Sequence, residues 1–219
     1  MRKVFGLRGL PVEQWPRLYL IFDWATIPRG VDPGLLAREA IEGGAGMVQF
    51  RDKATEPLDA WLAHARPVRS VCREFGIPFV VNDRIDAVEP LEADGLHLGQ
   101  EDLALSNART LVGGDVLIGI STHDVAQARE AAEMGADYLG IGAMFPTQIK
   151  PDRQPVGISM LRQVARAVDI PVYPIGGIGL SNVDLITSAG IGRCAVISAI
   201  MQAKDPRLAA SQLLERLSS

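Results

Sequence analysis

The strongest constraint in this chain is a recurrence. A short apolar run is followed by a longer amphipathic one, eight times over. The runs that read as strands lie at 17–22, 47–51, 79–83, 95–99, 117–121, 138–144, 172–177 and 194–199. Helical patterns fill the intervals, for example at 33–42, 58–75, 125–134, 159–168 and 206–217. The stretch "VAQAREAAEM" in the third of these is dense in good helix formers. "EGGAG", "EFGIP", "EMGAD" and "SAGIG" each place glycine at a helix end just before the next strand. Eight units over 219 residues give about 27 residues per unit. That spacing predicts an α/β chain folded as a closed parallel (βα)8 TIM barrel. The prediction is one domain over 1–219, with 1–16 an extra segment ahead of the first strand. A doubly wound open sheet is the runner-up. Even spacing and the lack of a linker favour the barrel.

Composition narrows the partners. With 47% hydrophobic residues, the chain can bury one sizeable core. A net charge of -4 disfavours nucleic acid or an anionic membrane surface as the main partner. No apolar stretch approaches the ~18 residues of a membrane span. Arg2, Lys3 and Arg8 have no long apolar run behind them, which argues against a signal peptide. Cys72 and Cys194 read as two buried thiols in a reducing compartment. The expectation is a cytoplasmic protein acting on small molecules, with no nucleic acid and no membrane. A homo-oligomer stays open.

In such a barrel, chemistry sits at the C-terminal strand ends. In "VQFRDK", alternation sends Gln49, Arg51 and Lys53 inward and turns Val48 and Phe50 toward the helices. A solvated cationic strand end is the bland alternative, but a barrel strand meets solvent only at the mouth. Strand three ends in Asn82-Asp83, and strand four is followed by Gln100-Glu101-Asp102. One such Asp alone would read as a helix cap. Two of them beside Arg51 and Lys53 read as a Mg²⁺–diphosphate site, because Mg²⁺ takes one or two carboxylates and completes its shell with phosphate oxygens and water. Gly119, Ser121, Gly140 and Gly142 leave room for a flat ligand, with close packing as the competing use of each glycine. The loop "FPTQIKPD" carries Thr147 and Lys150. "PIGGIG" and "AVIS" end strands seven and eight, where a phosphate monoester meets backbone N–H groups in barrels of this kind. Gly177 permits close approach, and Ile197-Ser198 offers further N–H groups. Two anion sites face to face, with Lys150 in reach of both, suggest a condensation that expels diphosphate.

The ordered set "QFRDK", "VNDR", "DGLHLGQED", "GISTH", "PTQIK", "IGGI" and "VIS" resembles the thiamin phosphate synthase family, from about Arg17 onward. Pieces such as "IGGI" recur in many phosphate-binding barrels. The ordered set, with acids nineteen positions apart at 83 and 102, is specific. The resemblance implies a transferase that joins hydroxymethylpyrimidine diphosphate to a thiazole phosphate with Mg²⁺, by a dissociative course. It implies that Gln49, Phe50, Arg51, Asp52, Lys53, Asn82, Ser121 and Lys150 hold the pyrimidine diphosphate, with Arg51, Lys53, Ser121 and Lys150 catalytic. Asp83 and Asp102 would hold Mg²⁺. Thr147, Gln148, Ile149, Gly177, Ile197 and Ser198 would hold the thiazole phosphate. One departure stands out: Ile149 occupies the second hydroxyl position of the family's usual Thr-x-Thr-Lys. The sister family, the thiazole tautomerases, is an isomerase group that uses a histidine where His123 stands, and it typically lacks the paired acids. A non-catalytic phosphate-ligand-binding barrel is the third reading, opposed by the intact cations and acids. His97 reads as a hydrogen-bonded core residue. His64, Trp15, Trp24 and Trp61 show nothing beyond packing.

Overall fold

Alternation along each strand divides the apolar residues into two sets, and closing the sheet buries both. The computed structural model describes residues 6–147 and 154–218. Its strands are β1 (Leu18–Asp23), β2 (Met47–Arg51), β3 (Phe79–Asn82), β4 (Gly95–Leu98), β5 (Leu117–Thr122), β6 (Tyr138–Ile141), β7 (Val172–Pro174) and β8 (Cys194–Val196). Consecutive strands pair in parallel from β1 to β7, and β8 pairs with β1. A parallel bridge between Ile175 and Ala195 joins the two remaining edges. The outer layer holds α1 (Pro33–Glu42), α2 (Leu58–Phe75), α3 (Leu105–Val112), α4 (Val125–Glu133), α5 (Gly157–Ala167), α6 (Val183–Thr187), α7 (Ser198–Met201) and α8 (Pro206–Ser218). The predicted barrel is therefore present, with every expected strand in place.

Strands β6 and β7 stop short of the predicted 144 and 177. Gly176 and Gly177 adopt φ of +101° and +66°, which cannot continue a pleated ladder. Helix starts follow local chemistry. Asp32 accepts a hydrogen bond from Leu35 N at 2.8 Å, and Asp124 accepts one from Gln127 N at 2.8 Å.

One apolar set, including Phe22, Phe50, Trp61 and Leu96, packs between sheet and helices. The other, including Tyr19, Met47, Val80, Leu117, Tyr138 and Tyr173, fills the barrel's interior. The residues before β1 close the floor. Trp15 is buried, with its ring centroid 5.9 Å from that of Tyr138. Tyr173 Oη donates to Pro16 O at 2.7 Å, and Arg193 donates to Val12 O at 2.6 Å. The barrel thus opens at one end only. Cys72 and Cys194 are both free and buried, as expected. Among the described residues no helix is long and apolar enough to cross a membrane.

One of the strand-end glycines takes the competing use, close packing, and does so inside the barrel. Gly119, expected to leave room for a ligand, instead leaves room for Tyr138, whose ring would overlap a Cβ placed there. Gly140 differs, since its Cβ would sit 3.4 Å from the His97 ring, an ordinary contact. Gly119→Ala is therefore expected to cost roughly 3 kcal/mol, the upper part of the range for overpacking a filled core. Gly140→Ala is expected to cost less than about 1 kcal/mol. Urea unfolding of both variants checks the contrast, and equal losses would refute it.

Candidate active site

The register of β1 on β2 sets Ile21 opposite Gln49 and Asp23 opposite Arg51. Ile21, Gln49 and Arg51 line a pocket of about 110 Å³ at the mouth. Gln49, Arg51, Asn82, His97, Ser121, His123, Thr147, Gly176 and Ile197 are in its wall. Strands β2 to β8 thus bring together residues that lie far apart in the sequence.

Arg51 is ion-paired with Asp23, which is only 1% exposed. The same carboxylate accepts from Ala25 N at 3.1 Å, so it both caps a turn and aims the guanidinium. Asp23 was not singled out from sequence. The signal was there: "LIFDW" ends an apolar run in an acid, just as "VVND" does.

On the neighbouring rim, Lys53 is ion-paired with Asp83. Asn82 Nδ2 donates to the same Asp83 oxygen at 2.6 Å. Asp83 holds φ +59°, a left-handed conformation uncommon outside glycine, which turns the chain sharply at the end of β3. Asp102 Oδ2 accepts from Gly99 N at 2.7 Å. The two carboxyl groups contact one another. Burial raises the Asp83 pKa, and contact with Asp102 adds to the rise against the opposing pull of Lys53. Burial pushes Asp102 upward too, but hydrogen bonds from Asp83 and Gly99 N–H, together with the Lys53 charge, outweigh it and hold Asp102 below the usual carboxylate range. Two carboxyls this close compete for a single proton. A hard divalent cation satisfies both, and two carboxylates are the protein share that Mg²⁺ ordinarily takes. The donor set therefore fits such an ion. Among the described residues no cluster of three or more His, Cys, Asp or Glu adds to it. Lys53, Asp83 and Asp102 stand on the rim beside the pocket rather than in its wall.

Across the mouth, Gly176, Ile197 and Thr147 line the pocket, and the exposed Gly177 and Ser198 follow on the same rim. Positive φ at Gly176 and Gly177 lets that turn pass against Ala143, Phe145 and Pro146. Gly142 lines the pocket, but its missing side chain is what admits the Ile175 carbonyl. His123 also faces the pocket, and its Nδ1 is 2.7 Å from Gly142 O.

Two of the residues that the resemblance implies as substrate contacts turn their side chains away from the pocket, Phe50 as the strand alternation predicts. Phe50 points outward into the helix-facing core, where it meets Trp61 edge-on at 5.0 Å. The Asp52 carboxylate turns away from the mouth to Ala54 N and Thr55 N, both at 3.1 Å, and to His64 Nδ1 at 3.0 Å. His64 in turn stacks on Trp24 with centroids 3.9 Å apart, which gives both rings a structural use. Gln148, Ile149 and Lys150 lie outside the described residues.

The fold and site define a class: a closed parallel barrel whose mouth carries acids and cations after β2–β4, opposite a glycine-rich turn after β7. Comparison with known proteins narrows it. The chain belongs to the thiamine monophosphate synthase family, whose model matches residues 18–200. It is similar to the thiamine-phosphate synthase of Prochlorococcus marinus (strain MIT 9303), at 44% identity over 178 residues, 81% of this chain and 50% of that one. The chain spans about half the length of the first curated relatives it matches. With the thiamine-phosphate synthase of Bacillus velezensis it shares 40% identity over 204 residues, 91% of either chain. The solved thiamine phosphate pyrophosphorylase from Pyrococcus furiosus superposes with a TM-score of 0.83 and 36% identity, covering 92% of this chain and 95% of that one.

Removing Asp23 would leave Arg51 without its buried counter-ion. Asp23→Ala is expected to destabilise the fold by roughly 3 kcal/mol, the lower end for breaking a buried pair because Arg51 keeps some solvent contact. Reversible denaturant unfolding measures this, and a loss under about 1 kcal/mol, as for a surface pair, would mean that the ion pair is not held rigidly.

Proposed function

We propose that this chain condenses hydroxymethylpyrimidine diphosphate with a thiazole phosphate, giving thiamin phosphate and pyrophosphate. The observation that carries the reading is the Asp83–Asp102 pair beside Lys53, at one rim of a pocket whose other rim is the Gly176–Gly177 turn. The names of the Prochlorococcus, Bacillus and Pyrococcus relatives support it.

In this reading the diphosphate lies along Arg51, Lys53 and Asn82, and the pyrimidine ring enters the pocket between Gln49 and Ser121. The bond from the ring's methylene carbon to the diphosphate oxygen breaks, and its electron pair leaves with the diphosphate. The thiazole nitrogen then supplies the pair that forms the new C–N bond. Arg51 and Lys53 stabilise the charge that develops on the departing group, joined by Lys150. Mg²⁺ held by Asp83 and Asp102 would supply Lewis-acid neutralisation of that charge. Gly177, Thr147, Gln148, Ile149 and the Ile197-Ser198 backbone hold the thiazole phosphate at the far rim. Walls of Ile21, Ile175 and Ile197 exclude water from the reacting carbon.

The tautomerase reading draws on one observation, that His123 lines the pocket with Nδ1 on the Gly142 carbonyl. That contact makes Nδ1 the donor. The acid pair favours the synthase, because a proton shift has no diphosphate to neutralise.

Incubation with both substrates and Mg²⁺ is expected to yield thiamin phosphate and pyrophosphate in equal amounts. Asp83→Ala and Asp102→Ala are each expected to lose about a hundredfold or more in kcat, comparable to the removal of one strong electrostatic stabiliser, with the fold intact by circular dichroism. His123→Ala is expected to keep most of the condensation. Wild-type isomerisation of the thiazole phosphate, abolished in His123→Ala and without condensation in either protein, would replace this function with the isomerase.

A further inference from the structure

Along the base of the pocket, five side chains form one continuous hydrogen-bonded chain across the barrel. Gln49 Nε2 donates to Tyr19 Oη at 2.7 Å. Tyr19 Oη is 2.8 Å from Tyr138 Oη, and Tyr138 Oη is 3.1 Å from His97 Nδ1. His97 Nε2 is 2.9 Å from Ser121 Oγ. Tyr19 and Tyr138 are sealed in the core at 1% and 0% exposure, against Trp15 and Tyr173. Gly119 is the position that admits the Tyr138 ring.

Each link has one proton to give, so direction propagates. Tyr19 accepts from Gln49 and donates to Tyr138. Tyr138 has then accepted one proton and must place its own on His97 Nδ1. Burial raises the pKa of both tyrosines far above the ordinary value, so each keeps its proton. With Nδ1 an acceptor, the ring proton of His97 sits on Nε2 and is donated to Ser121 Oγ. The serine's own hydroxyl proton is then turned to the pocket. At the other end, Gln49 has committed an N–H below and offers its Oε1 above.

We infer that Tyr19, Tyr138 and His97 are positioning residues that fix the donor–acceptor pattern of the pocket: an acceptor at Gln49 and a donor at Ser121. The pattern suits a flat heteroaromatic ring with an exocyclic amine on one flank and a ring nitrogen on the other. A pyrimidine of the kind that ends in thiamin has that pattern. An oxo ring, with the opposite polarity, would place carbonyl against carbonyl at Gln49. This assignment rests on the proposed condensation for the ligand's identity, whereas the direction of the chain follows from Gln49 Nε2 donating to Tyr19 Oη. Reversing it requires changes together at every link: flipping the Gln49 amide, turning the hydroxyls of Tyr19, Tyr138 and Ser121, and moving the His97 proton to Nδ1. The two ends of the pocket are therefore coupled through Tyr19, Tyr138 and His97, of which Tyr138 lies behind the pocket wall.

The test has two parts, both on the full chain. In the wild type, ¹⁵N NMR of the histidine rings is expected to show His97 as the Nε2–H tautomer, with Nδ1 shifted as an acceptor. In Tyr138→Phe, which keeps the ring and removes the link, His97 is expected to lose that single tautomer. The Kd for hydroxymethylpyrimidine diphosphate, titrated with Mg²⁺ present, should then rise roughly tenfold, the scale of one misdirected hydrogen bond. The affinity for thiazole phosphate should stay within about twofold, which a general loss of packing would not spare. An Nδ1–H tautomer in the wild type overturns the inference. So does unchanged pyrimidine diphosphate affinity in a folded Tyr138→Phe. If that variant does not fold, the wild-type tautomer decides alone. Absence of condensation by the wild type would sink the functional reading and leave the Nε2–H result to judge the chain's direction.

Discussion

Alternation along parallel strands that close on themselves is the constraint on which the other features depend. In a closed barrel, every second residue points into a space that only the mouth connects to water. Trp15 and the Pro16 carbonyl seal the opposite end. A polar group set inward must therefore find a partner inside or stand at the mouth. The interior of this barrel is sorted that way. Val80, Leu117 and Met47 fill the lower part, the Gln49–Tyr19–Tyr138–His97–Ser121 chain crosses above them, and the charged groups come last. The chemistry is thus placed by depth as well as by strand.

Charge at the mouth is arranged in advance. Arg51 is held by Asp23 in a nearly buried pair, so its guanidinium needs little reorganisation to meet an anion. Lys53 is held by Asp83, which a divalent cation would also claim. The two cations differ in consequence. The Arg51 pair is built into the β1–β2 register, whereas Lys53 sits on an exposed rim and can exchange partners. A diphosphate arriving with its metal would let Asp83 release Lys53 to the phosphate oxygens, a rearrangement confined to one edge of the pocket.

The strands, the main helices and the two rims were legible in the sequence because each rests on a local signal. Period-two alternation in "VQFRDK" put Gln49 and Arg51 inward, and both line the pocket. An acid at the end of an apolar run pointed to Asp83. Long-range pairings left no such mark. Asp23 and Arg51 are 28 residues apart, and only the strand register makes them neighbours. Tyr138 is 119 residues from Tyr19, and no local pattern distinguishes a tyrosine that packs from one that relays a hydrogen bond. The choice between ligand room and close packing at Gly119 was unmarked for the same reason, since the atoms that need its space belong to another strand. Asp52 sits where the alternation turns outward, and the loop after β2 uses it as a cap. In each case the missing information was a partner in space, not a residue type.

Two anion sites of different construction, one metal-assisted on β2–β4 and one backbone-built on β7–β8, are the core of the proposed chemistry. Isothermal titration with inorganic pyrophosphate and with a thiazole phosphate monoester, each with and without Mg²⁺, measures this directly. The expected result is that Mg²⁺ tightens pyrophosphate by at least tenfold and leaves the monoester nearly unchanged, and that saturating one ligand leaves room for the other. Mutual exclusion of the two ligands, with pyrophosphate affinity indifferent to Mg²⁺, would contradict it.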